Sequence, residues 1–228
     1  MNLLCGSFAV VAALMYNDLT LAFWLIVAGI VFDFFDGFVA RLLHSSSAIG
    51  VQLDSLADVI TSGLAPAAVL WQVCLQTEPC WLPEGWKFGY GVFVLAAFSA
   101  LRLAKFNIDE TQTVEFCGLP TPAGSLLCAS LGMLWQQGML ALSSDGVLLV
   151  AVLTSLLLVS PIRMFALKFH GFGWRGNEVR YLFLLASIVL IIILRTYAIP
   201  VIIVLYIVVS AVRWLCMRSG NPDKAPKA

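Results

Sequence analysis

Eight apolar stretches, at about residues 2–16, 19–43, 48–75, 87–106, 121–142, 147–168, 179–195 and 198–216, take up nearly all of this chain. A helix crossing a roughly 30 Å hydrocarbon core needs about 20 apolar residues, and most of the eight meet that length. Lipid offers no partner to backbone N–H and C=O groups, so runs of this kind fold as helices that bond internally. Of the 228 residues 61% are hydrophobic and only 11% are charged, where a soluble domain carries about 25% charged residues. The expected fold class is an all-α integral membrane protein with about eight transmembrane helices over residues 1–216, and a short tail over 217–228. No cleavable leader is expected, because the first apolar run passes directly into the next. Cys5, Cys74, Cys80, Cys117, Cys128 and Cys216 lack paired spacing. They read as small buried apolar residues, not as metal ligands or disulfides.

Charge bias sets the orientation. One set of loops and ends holds Arg41, Arg102, Lys105, Arg163, Lys168, Arg175, Arg180, Arg213, Arg218, Lys224 and Lys227, and the opposite set holds only Lys87 and Arg195. Cytoplasmic loops carry the excess of Lys and Arg, so the first side, with both termini, is expected to face the cytoplasm. Trp81, Trp86, Trp174 and Trp214 fall near segment ends, where interfacial anchors belong.

Against this apolar background stand two acidic runs, Asp33-Phe34-Phe35-Asp36-Gly37-Phe38-Val39-Ala40-Arg41 and Gly50-Val51-Gln52-Leu53-Asp54-Ser55-Leu56-Ala57-Asp58. An ionised Asp near the centre of a membrane helix costs roughly 2.5–3.5 kcal/mol on insertion scales, so four of them call for a compensating cation. Asp33 and Asp36 share a face at i, i+3, and Asp54 and Asp58 share one at i, i+4. On antiparallel neighbours at about 1.5 Å per residue, the four carboxylates pair level by level roughly 10–15 Å below the cytoplasmic rim. Such an all-oxygen box suits a hard divalent ion, and its four charges would balance two Mg²⁺ or Mn²⁺. Gly37 and Gly50 leave clearance beside the same faces, and Arg41 at the rim offers a planar fork to a phosphate. Metals, a rim cation and glycine clearances describe a diphosphate site where a carboxylate takes the proton from an attacking hydroxyl.

These residues meet every fixed position of D-x2-D-G-x2-A-R-x8-G-x3-D-x3-D: Asp33, Asp36, Gly37, Ala40, Arg41, Gly50, Asp54 and Asp58. The pattern resembles the signature of the CDP-alcohol phosphotransferase family. The resemblance implies a core of six membrane helices within the eight, usually dimeric, binding a CDP-linked lipid in a cytoplasm-facing cavity of a bacterial cell membrane. It implies that Asp33, Asp36 and Asp54 hold metal, with Asp58 both a metal-site neighbour and the catalytic base. Asn2, Asp33, Asp36, Gly37, Ala40, Arg41, Gly50 and Asp54 are then the residues expected to contact the CDP-lipid.

Further stretches are similar to the phosphatidylserine synthase branch of that family. They are Asn2-Leu3-Leu4-Cys5-Gly6, Ser62 to Ala67, Leu101 to Asn107, Phe116 to Ala123, and Val159 to Phe165 with Lys168. The branch implies transfer of the phosphatidyl group from CDP-diacylglycerol to L-serine, giving phosphatidylserine and CMP. Direct displacement is expected, since the signature holds no nucleophilic Ser, Cys or His, and His44 and His170 sit in loops. Serine's carboxylate needs a cation; Arg102 and Lys105 are the candidates, with Pro120 and Thr121 shaping the pocket. Plainer readings stand beside these. Arg102 and Lys105 also fit simple positive-inside anchoring. Pro120 and Pro122 suit a helix start, Gly63 and Pro66 a kink, and Ser55 and Ser62 bonds to carbonyls a turn away. A sister enzyme accepting glycerol 3-phosphate or inositol phosphate would share the signature. A cation transporter would also carry intramembrane carboxylates, but would not need the Gly-x2-Ala-Arg pattern.

Overall fold

Most of the apolar residues fall in helices. The computed structural model describes residues 1–43, 47–81, 88–108, 115–165 and 177–220. The helices are α1 (Asn2–Leu14), α2 (Leu19–Leu42), α3 (Ala48–Asp58), α4 (Ala65–Gln76), α5 (Val94–Ile108), α6 (Thr121–Gln136), α7 (Ser144–Leu158), α8 (Glu178–Leu194) and α9 (Ala198–Gly220). A π-helical turn, Val59–Leu64, joins α3 to α4, and a 3₁₀ turn, Phe88–Phe93, leads into α5.

Four stretches are long and apolar enough to cross a membrane: Leu19–Ala40, Ile49–Gln76, Gly89–Ile108 and Glu178–Cys216, while α1 and α7 are apolar but shorter. The last of the four is a hairpin. Arg195 sits at φ 49° between α8 and α9, and the chain folds back so that the rings of Phe183 and Tyr206 lie 5.9 Å apart.

Several ends differ from the expected ones. Helix α6 stops at Gln136, short of 142, because Gly138 adopts φ +69° just beyond it, as helix-ending glycines do. Helix α7 stops at Leu158, short of 168, since Pro161 disfavours helical backbone at Ser160. The chain there turns extended instead: β1 (Glu115–Cys117) pairs antiparallel with β2 (Arg163–Phe165), the only strands among the described residues. Helix α9 runs on to Gly220, past the expected boundary at 216. Of the residues singled out above, His44, Trp86, Lys87, Lys168, His170, Trp174, Arg175, Lys224 and Lys227 lie outside the described residues. The cysteines divide: Cys5 and Cys128 are buried and Cys74 half-buried, whereas Cys80, Cys117 and Cys216 are exposed, and none of the six is in a disulfide. Burial therefore accounts for only half of them.

The core is built from small residues of α1, α2, α4 and α6, among them Ala9, Ala13, Ala22, Ala65, Ala68 and Ala129, with Phe23, Ile26 and Leu70 filling the gaps. Lipid tails are as apolar as leucine, so membrane helices associate through such close contacts. A Cβ on Gly132 would lie 2.3 Å from Val69 Cγ1. Helices α4 and α6 run in the same direction, because Gln76 and Gln136 at their ends both donate to Asn17, to its side-chain and main-chain oxygen respectively. Gln136 Oε1 also accepts from Leu19 N and Thr20 N, satisfying the first orphan donors of α2. Helix α5 runs the opposite way to α3 and α4: Asn107 Nδ2 donates to Ser55 Oγ at 2.9 Å, and Ser99 packs where a Cβ on Gly63 would stand 3.0 Å from it.

Candidate active site

Two antiparallel helix ends carry the acidic residues. Ser47 caps α3 by accepting from Gly50 N at 3.0 Å, which fixes where that helix begins. One carboxylate oxygen from each of Asp33, Asp36 and Asp54 lies within 4.8 Å of the others. Asp33 is half-buried and the other two are exposed. Three hard oxygen donors at this spacing are close enough to hold one divalent ion.

Asp58 is held differently. Asn2 Nδ2 donates to Asp33 Oδ1 and to Asp58 Oδ1, each at 2.9 Å, so one amide from α1 bridges α2 and α3. Asn2 is itself buried. A backbone device holds it there. Thr61 Oγ1, in the π-helical turn, donates to the Asn2 carbonyl at 3.1 Å. Thr61 fits between two glycines: a Cβ on Gly6 would fall 2.3 Å from its hydroxyl oxygen, and one on Gly29 would fall 2.6 Å from its methyl. The turn follows from Pro66, which has no N–H for the Ser62 carbonyl and whose ring crowds it, so the preceding turn widens. Single π turns inside longer helices recur at functional sites.

A cation stands next to this pair. Arg102 is buried, donates from one guanidinium nitrogen to Thr121 Oγ1 at 3.2 Å, and lies over the Phe106 ring at 5.4 Å. Its charge acts on Asp58 and on the Tyr206 phenol, so helices α3, α5, α6 and α9 converge here. Tyr206 donates to the Phe165 carbonyl of β2 at 3.0 Å. The segment before Thr121 is fixed by Gly118 N donating to the Ile162 carbonyl and Leu119 N to that of Leu157. Gly118 takes φ +78°, and a Cβ there would lie 2.2 Å from the Leu158 carbonyl.

The remaining expected residues fall as follows. Gly37 faces open space, with nothing within 4 Å of a Cβ built on it, and Gly50 has only the Ser47 hydroxyl nearby. Ala40 is half-buried on α2. Arg41 continues that helix, but its side chain lies outside what is described. Lys105 is exposed on α5, Pro120 is half-buried as the α6 cap, and Thr121 is buried. The bridging role of Asn2, and Thr61 altogether, were missed by sequence reasoning. Gly6 and Gly29, spaced so that each meets Thr61, were the only signal, and they look like ordinary helix glycines.

An all-α membrane protein with an oxygen-only acidic cluster at the ends of two antiparallel helices, and a buried guanidinium beside it, is built as a membrane-embedded phosphotransferase. The family model of CDP-alcohol phosphatidyltransferase matches residues 1–162. A CDP-diacylglycerol–serine O-phosphatidyltransferase of Bacillus subtilis (strain 168) is 33% identical over 173 residues, covering 75% of this chain and 88% of its own. One of the same name from Mycobacterium tuberculosis (strain ATCC 25618 / H37Rv) is 33% identical over 240 residues, covering 98% and 81%. Another from Helicobacter pylori (strain ATCC 700392 / 26695) is 32% identical over 203 residues, covering 86% and 80%. The chain belongs to the CDP-alcohol phosphatidyltransferase family.

Proposed function

We propose that this chain transfers the phosphatidyl group of CDP-diacylglycerol to the hydroxyl of L-serine, releasing CMP. The observation that carries the choice of acceptor is the shared serine-transferase name of relatives matched over most of their length. The buried Arg102 supports it. Among the described residues it is the only buried Lys or Arg, and a zwitterionic amino acid needs one cation for its carboxylate.

Asp33, Asp36 and Asp54 would hold the metal, Mg²⁺ or Mn²⁺, with Asp58 at the edge of the same site and room in the charge balance for two ions. When bound, the metal neutralises charge on the diphosphate oxygens. Asp58 takes the proton from the serine hydroxyl, and Asn2 keeps the receiving carboxylate turned inward. The serine oxygen forms a bond to the phosphorus that carries diacylglycerol as the bond from that phosphorus to the CMP oxygen breaks. The proton on Asp58 leaves with CMP or to water. Arg102 and Lys105 orient the serine carboxylate, with Pro120 and Thr121 closing the pocket. Arg41, Gly37, Ala40 and Gly50 line the approach of the CDP moiety. In this reading eight spans place both termini and the site on the cytoplasmic side, and the enzyme works as a dimer.

Purified protein supplied with CDP-diacylglycerol and Mg²⁺ or Mn²⁺ should release CMP with L-serine and form phosphatidylserine. Release with glycerol 3-phosphate or inositol phosphate, and none with serine, would sink this assignment.

A further inference from the structure

Hydroxyl side chains in a membrane helix usually donate to a carbonyl one turn back. This chain follows the habit at Ser7, Ser55, Thr77, Ser130, Ser155, Ser160 and Ser187. Ser62, Ser99 and Ser125 do not. All three are fully buried, at 0–1% exposure, and their hydroxyls have no hydrogen-bond partner. Ser210, a fourth such hydroxyl, sits beside the Tyr206 phenol on α9. A buried unpaired hydroxyl costs about 1–3 kcal/mol, so three in one place call for a ligand.

They sit on elements that pack against one another. Helices α4 and α6 run in the same direction and meet at Val69 and Gly132, and counting back from there into the π-helical turn brings Ser62 near the level of Ser125. Four residues further back, Asp58 comes level with Thr121. Ser99 joins the same layer on α5, because it packs against Gly63. Arg102, one turn along α5 from Ser99, donates to Thr121 and acts on Asp58 through its charge. The site therefore has two storeys: Asp58, Arg102 and Thr121 above, and Ser62, Ser99 and Ser125 about one helical turn below.

We infer that Ser62, Ser99 and Ser125 form the floor of the acceptor pocket and take the ammonium group of the amino-acid acceptor. This rests on the serine reading given above. An ammonium carries three N–H donors and no acceptor, which three hydroxyl oxygens match one for one. The carboxylate meets Arg102 on the upper storey, and the reacting hydroxyl stays at the height of Asp58, whose charge also offsets the desolvated ammonium. Neither a phosphorylated polyol nor a plain alcohol has a group for this floor. The three serines are thus specificity-determining residues, separate from the groups that move the proton.

The test uses full-length enzyme in detergent, following CMP release as L-serine is varied. Ser62→Ala, Ser99→Ala and Ser125→Ala each raise KM for serine roughly tenfold, the scale of one hydrogen bond to a charged group. KM for CDP-diacylglycerol stays within about twofold. Inhibition by 3-hydroxypropionate, which is serine without its amino group, is the same in parent and variants. Ser125→Thr, which keeps the hydroxyl, restores serine affinity, while Ser125→Val, equal in shape, does not. A serine KM that stays flat in all three alanine variants, or a rise shared equally by both substrates, overturns the inference alone. A parent enzyme that releases no CMP with serine brings down the acceptor assignment and this inference together.

Discussion

Thr61 and Gly6 meet so closely that a Cβ on the glycine would lie 2.3 Å from the threonine hydroxyl and 2.8 Å from its Cα. The second contact is with backbone, which cannot swing aside. That approach lets Thr61 bond to the Asn2 carbonyl and so sets the height at which the Asn2 amide reaches Asp33 and Asp58. Gly6→Ala is therefore expected to push α1 off the π-helical turn. The overpacking should lower stability by about 1–3 kcal/mol, read as a lower Tm in detergent. CMP release should fall further than the Tm loss explains, because the Asn2 bridge opens. A Gly6→Ala enzyme with parental Tm and rate would show that the approach is not needed.

Asn2 touches both carboxylates and holds them at fixed distance. Asn2→Ala removes the donor while leaving Asp33 and Asp58 in place. Loss of an outer partner of a metal or catalytic carboxylate typically costs about 10–100-fold, and the loss should appear in kcat. If KM for CDP-diacylglycerol rises with kcat unchanged, Asn2 binds the nucleotide lipid directly and the bridge is incidental.

Asp58 and the cluster formed by Asp33, Asp36 and Asp54 should separate in behaviour. Asp58→Asn removes a proton acceptor, an effect of about 10²–10⁴-fold on kcat, and should leave CDP-lipid binding largely intact. Asp36→Asn and Asp54→Asn should instead raise the Mg²⁺ or Mn²⁺ concentration needed for half-maximal rate. Chelation should silence the parent reversibly. An Asp58→Asn enzyme within a few-fold of the parent rate would remove it from the role of base.

Asp145 sits just ahead of the apolar stretch that begins at Val147 and ties down the Cys80–Trp81 loop. It accepts from Cys80 N at 3.1 Å, Trp81 N at 2.6 Å and Gly146 N at 3.0 Å. The Ser143 hydroxyl first, then these backbone donors, bring its pKa from 3.8 down to about 2, against the opposing effect of burial. A lowered carboxyl pKa contributes stability that is complete above the unfolded value and disappears as pH falls through the folded one. Asp145→Asn should therefore lower Tm at neutral pH, with the gap to the parent closing between pH 3.8 and about 2. A gap that stays constant over that window would mean that the carboxylate charge does not matter to the clamp.

Apolar runs and the four aspartates were legible because each depends on residue type and short spacing alone. A run of about 20 apolar residues has one stable form in lipid, and i, i+3 or i, i+4 spacing puts two carboxylates on one face wherever the helix lies. The helix ends at Gly138 and Pro161 were written in the chain too, and the apolar signal simply ran past them. Asn2, Thr61, Ser62, Ser99 and Ser125 were not legible as a group. Each is an unremarkable polar residue in its own helix, and its meaning depends on neighbours up to 63 positions away, as from Ser62 to Ser125.

The sequence by itself thus determined a membrane-embedded helical protein with an acidic site on α2 and α3, since local periodicity and the cost of charge in lipid leave little choice. The tertiary structure decided which helices surround that site and at what height: α1 through Gly6 and Thr61, α5 through Ser99 and Gly63, and α6 through Gly132 and Val69. Those heights come from glycine-sized close approaches between helices, and such contacts have no signature along a single chain.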